Sequence, residues 1–140
     1  MSQSTAPDRA IGTEAGLALL TKLTELHGPL MMHQSGGCCD GSAPMCYPVG
    51  EYRIGQRDVL VGELELPEPL PPVRIWISGD QFEVWKHTQL IIDVVPGRGA
   101  GFSLEAPEGL RFLSRSRVFD DDELAALDAS PPPTGASLGL

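Results

Sequence analysis

The sequence predicts an α+β domain, a small mixed or antiparallel β-sheet carrying an N-terminal helix. Two observations lead there. Leucines at 17, 20, 23 and 26, with Leu19 beside them, recur at helical spacing, and after them come several short β-prone runs separated by Gly- and Pro-rich turns, with few further helical segments. The chain of 140 residues, 41% hydrophobic and 21% charged, has the size and composition of one globular domain with a core of its own.

Each element follows from local chemistry. Residues 1–12 are polar and small, and residues 130–140 are rich in Pro, Gly and Ser, so both ends are expected to stay disordered around a single domain over 13–129. Residues 13–27 form the leucine-striped helix, which Gly28-Pro29 stops. Residues 30–33 read as a short strand. The β-prone runs at 58–66, 73–78 and 89–95 read as strands, as do residues 102–105, where Phe102 and Leu104 alternate with Ser103 and Glu105, and residues 110–113. Residues 80–87 suit one or two helical turns, and the acidic start of 120–129 suits a helix N-terminus. Trp76 and Trp85 read as core, with pocket lining as the alternative. Gly97, Gly99 and Gly101 serve close backbone approach.

Charge narrows the function. A net charge of -9 repels phosphate backbones and anionic lipid, which sets nucleic acid and membranes aside as partners. Arg111, Arg115 and Arg117 read as a solvated strand edge. The N-terminal MSQSTAPDRA has neither a basic start leading into an apolar segment nor a small-residue cleavage site, and three cysteines cannot all pair, so the expected location is the cytoplasm.

Residues 33–47, HQSGGCCDGSAPMCY, gather all three cysteines, one of three histidines, an Asp and three glycines. Thiolate sulfur and imidazole nitrogen bind borderline-soft metals, and thiolate is also a strong nucleophile. The expected ligands are Cys38, Cys39, Cys46 and His33, with Asp40, Gly36, Gly37, Asp93 and His87 in support. The spacing lacks a C-x-x-C knuckle, so iron, an iron–sulfur cluster and zinc all stay open. Asp93 is either a surface residue on an alternating strand or a hydrogen-bonded support of the loop.

The order of a leading helix, a strand ending in Gly36-Gly37-Cys38, an apolar strand through Ile92-Asp93-Val94-Val95 and then GAGFSLEAP over 99–107 resembles the HesB/IscA-type iron–sulfur assembly proteins. That resemblance implies a compact sheet, an exposed GGC loop and binding of iron or a cluster, often across a homodimer interface. Cys38 alone sits at the motif's cysteine. Where those proteins close with a CGC pair, this chain reads EGLRFLSRS over 108–116. The strings HQSGGCCDGSAPMC, WKHTQLIIDVVPGRGAGFSLE and GLRFLSRSR more closely resemble an uncharacterised bacterial domain-of-unknown-function family (DUF779), whose genes often lie beside aldehyde dehydrogenases. This implies an aldehyde dehydrogenase as a partner.

Three functions follow from different classes. The leading one is a metal- or cluster-binding accessory protein, without catalytic residues of its own, linked to aldehyde or alcohol metabolism. The second is a thiol-dependent redox or aldehyde-handling protein with Cys38 or Cys39 as the reactive thiolate. The third is a non-catalytic interaction module.

Overall fold

The computed structural model describes residues 7–34, 44–97 and 103–139. It is an α+β fold, as the sequence predicts, with the strands divided between two sheets. In chain order the described elements are β1 (Ala10–Gly12), α1 (Glu14–His27), β2 (Leu30–Gln34), β3 (Met45–Pro48), β4 (Val59–Leu64), β5 (Val73–Ile77), α2 (Gly79–Trp85), β6 (Thr88–Pro96), β7 (Leu110–Val118) and α3 (Asp121–Asp128), with a single 3-10 turn at Ala106–Glu108. One sheet has the order β1-β6-β7 and the other β3-β2-β5-β4. In the larger sheet β2 runs parallel to β5 and antiparallel to β3. In the smaller, β6 runs parallel to β1 and antiparallel to β7. No helix among the described residues is long and apolar enough to cross a membrane.

Thr13 caps α1, its hydroxyl accepting the Gly16 N–H at 3.0 Å. The buried stripe of the helix is Leu19, Leu20 and Leu23, whereas Leu26 is 60% exposed. Steps of three residues fall short of a turn by about 60° each, which carries Leu26 to the far side from Leu17. Gly16 lets α1 reach the second sheet, since a Cβ there would stand 2.7 Å from the Ile92 carbonyl oxygen. The leucines share one core with Met32 of β2, Cys46 of β3, Ile75 of β5, Ile92 of β6 and Phe112 of β7. That core lies where α1 and the inner faces of both sheets meet.

Several segments depart from the sequence reading. Residues 1–12 are expected to be disordered, yet Ala10–Gly12 pair with Leu90–Ile92 as β1, in register Ala10 to Leu90. The tail behaves similarly: Leu60 N–H donates to the Pro133 carbonyl, Gly135 N–H to that of Asp58 and Ala136 N–H to that of Gln56. Thr134 forms a bridge to Val59, so the tail lies along the outer edge of β4. Ser103–Glu105, read as a strand with Phe102, is a turn leading into the 3-10 turn; Phe102 lies outside the described residues. The Ser103 and Glu105 side chains are buried and hydrogen-bonded to each other, and that local bond replaces a ladder.

Asp120 and Glu123 form a capping box at the start of α3, and Arg117 donates two hydrogen bonds to the Glu123 carboxylate at 3.0 and 2.9 Å. These bonds, Arg117's first and the Asp120 N–H second, hold the Glu123 carboxyl at about 2 against an ordinary 4.5. A depressed carboxyl stabilises the folded state above its ordinary pKa and loses that contribution as pH falls from 4.5 to about 2. An NMR titration of Glu123 should therefore show a midpoint near 2 that moves up towards 4.5 in Arg117→Gln; a midpoint unmoved by the substitution would refute the pairing. Gly16→Ala should cost about 1–3 kcal/mol of stability in urea denaturation through overpacking against β6, and an unchanged denaturation midpoint would show that α1 does not dock so closely.

Candidate functional site

Side chains in a strand alternate between faces, and directly paired residues share a face. In the β2–β3 register Met32 pairs with Cys46, and His33 with Met45; in the β2–β5 register Met32 pairs with Ile75, and His33 with Trp76. Met32, Cys46 and Ile75 all belong to the core. His33 therefore projects from the opposite face, and the structure does not bring it together with Cys46.

On that outer face His33 is 3% exposed beneath an aromatic cover. Its ring centroid lies 4.5 Å from that of Tyr52, which stacks on Tyr47 at 5.0 Å. His33 Nε2 stands 3.1 Å from Asp58 Oδ1. The other carboxylate oxygen of Asp58 accepts the Gly55 N–H at 2.8 Å, and the Asp58 N–H donates to the Gly55 carbonyl at 3.1 Å, so the aspartate is fixed by its own turn. An imidazole beside a carboxylate is a pairing that recurs where histidine ligates a metal or accepts a thiol proton.

Cys46 occupies a different environment. It is fully buried, and its thiol is pushed far up from its ordinary range, first by burial and second by the Glu105 carboxylate. A thiol kept protonated is a poor ligand and a poor nucleophile. Cys46 and His33 leave the β2–β3 ladder on opposite faces, so the expectation of the two as ligands of one ion is corrected: Cys46 is a core residue. Its backbone holds the 103–105 turn, with the Cys46 N–H donating to Ser103 Oγ at 2.8 Å and the Leu104 N–H to the Cys46 carbonyl at 3.1 Å. Glu105, 1% exposed, accepts from Ser103 Oγ and from the Phe112 N–H. A buried carboxylate satisfied in this way ties β3 to β7.

The remaining expected residues fall in three places. Gly36, Gly37, Cys38, Cys39 and Asp40 lie outside the described residues. Asp93 accepts hydrogen bonds from Thr13 Oγ1 at 2.8 Å, the Val94 N–H at 2.8 Å and Arg115 Nε at 2.7 Å, and its carboxyl is held below its ordinary range chiefly by the Arg115 bond. It fixes the cap of α1 against β6 and β7, so among the described residues its support goes to that junction. His87 sits exposed in the turn between α2 and β6, where its carbonyl accepts the Phe119 N–H. Among the described residues no three of His, Cys, Asp and Glu converge closely enough to hold a metal ion. Asp58 and Tyr52 are the site residues that sequence reasoning missed; the run at 58–66 reads as strand from its first residue, which hides Asp58 as a turn acid.

A family model described as a domain of unknown function (DUF779) matches residues 19–118, more than half of the chain, which therefore belongs to that family. No curated protein and no solved structure matches it.

A substitution and an alkylation test the assignment of position 46. Cys46→Ser should cost about 1–3 kcal/mol, because the hydroxyl is buried among apolar side chains, while the native thiol should resist iodoacetamide until the protein unfolds. Rapid alkylation of Cys46 in the folded protein, read by peptide mass spectrometry, would contradict its placement in the core.

Proposed function

We propose that this member of the DUF779 family is a small metal-binding accessory protein whose centre is built on His33, with Cys38 and Cys39 as the thiolates that follow it in the chain. The observation that carries the reading is the Asp58 carboxylate 3.1 Å from His33 Nε2 in a buried setting. Histidines that ligate metals commonly have a carboxylate close to the imidazole. His33 is in the penultimate position of β2, five residues before Cys38. The described residues offer a metal one nitrogen ligand with a carboxylate beside it. Sulfur and imidazole suit iron, an iron–sulfur cluster or zinc, and a homodimer would complete the coordination that one chain leaves short. A cytoplasmic setting in aldehyde or alcohol metabolism, with an aldehyde dehydrogenase as partner, enters the proposal from the sequence resemblance.

A second reading draws on the same pair. With Cys46 withdrawn into the core, the chain keeps fewer thiols for a metal, and a carboxylate-backed imidazole is also the base that activates a thiolate nucleophile at Cys38 or Cys39.

Elemental analysis and absorption spectra of anaerobically purified full chain separate the two. The metal reading expects bound iron or zinc that is lost in His33→Ala, Cys38→Ser and Cys39→Ser, retained in Cys46→Ala, and held about 10–100-fold more weakly in Asp58→Asn. Protein that neither carries nor takes up metal, and in which one cysteine alkylates rapidly at low pH in a His33-dependent way, would replace it with the thiol reading.

A further inference from the structure

The outer face of the larger sheet carries a second feature beside the His33 pair. The 49–54 segment passes over β2 and β5 and encloses a cleft of about 410 Å³, within the range of small-molecule sites. Met31 and Trp76, one from each of two neighbouring parallel strands, line it from the sheet, and Val49, Tyr52 and Ile54 line it from the covering segment. These are flat or flexible apolar groups suited to a planar body.

Its polar side chains come mainly from two arginines. Arg53 is exposed and makes no side-chain hydrogen bond or ion pair with the described residues. Arg74 spends its Nε on Glu63 at 3.0 Å, which leaves its terminal nitrogens without a partner there. Among the described residues no acidic one lines the cleft, although the chain as a whole carries a charge of -9. Guanidinium groups left with donors at the edge of an apolar cleft match a carboxylate, which they can bind through paired hydrogen bonds.

We propose that this cleft is a binding site for a small organic carboxylate with a flat apolar body. The ring system packs against Val49, Tyr52 and Ile54 over the nearly covered Met31 and Trp76, and the carboxylate meets Arg53 and Arg74. Nothing in this assignment depends on bound metal. Tyr52 is common to the cleft and to the stack on His33, so a ligand there abuts the proposed centre.

The test is calorimetric titration of the full chain, before and after EDTA treatment, with 2-naphthylacetate, with the neutral analogue 2-(2-naphthyl)ethanol and with inorganic phosphate. The expected result is saturable binding of one naphthylacetate per chain, with EDTA without effect and with the alcohol and phosphate at least tenfold weaker. Arg53→Gln combined with Arg74→Gln should bring naphthylacetate down to the affinity of the alcohol, while Arg111→Gln, distant on β7, leaves it unchanged. Both cleft arginines are solvent-exposed, and thermal melting checks that the double variant folds. Absence of naphthylacetate binding, equal affinity for the acid and the alcohol, equal affinity for phosphate, or an undiminished affinity in the double variant would each overturn the proposal.

Discussion

Side-chain alternation along β2 governs what this chain can assemble. With Met32 committed to the core and paired with both Cys46 and Ile75, His33 has to leave from the other face together with Trp76. A shift of one residue would exchange the two sets completely, and the burial of Met32, Ile75 and Cys46 fixes the register against it. The division of labour between the faces follows: packing on one, and on the other a histidine, its aspartate, two stacked tyrosines and an apolar cleft with two arginines.

Much of the fold was legible because its signals are local. Thr13 before the leucine stripe and Gly28-Pro29 after it bound α1 correctly, and the β-prone runs at 73–78 and 89–95 correspond to β5 and β6. What escaped depends on partners distant in sequence. β1 and β3 are too short to show a period, and each exists because a neighbour supplies the ladder, β6 for Ala10–Gly12 and β2 for Met45–Pro48. Ser103 and Glu105 alternate with apolar neighbours as a strand would, but their mutual hydrogen bond and the Cys46 N–H settle a turn instead.

The site was legible in part for the same reason. His33 stands out in sequence by its proximity to the cysteines, and the structure sets it, buried, beside a partly exposed carboxylate. Proximity misled for Cys46, whose position thirteen residues after His33 says nothing about which face it takes. Asp58 and Tyr52 lie beyond the reach of any local pattern, since neither is near His33 until the segment between β3 and β4 folds back over β2. Asp93 shows the complementary case, a carboxylate that looks available along its strand and is consumed by Thr13, Val94 and Arg115.

The C-terminal tail closes on the same aspartate. Gly135 donates to the Asp58 carbonyl and packs so tightly on the Gly55 carbonyl that a side chain there would collide with it. The strap over β4 thus doubles as a brace for the acid beside His33. Cleavage near Pro131, or a bulky fusion that peels the last residues away, would bare a strand edge to self-association. It would also loosen the histidine's partner at a distance, so an affinity handle is better placed at the other end of the chain.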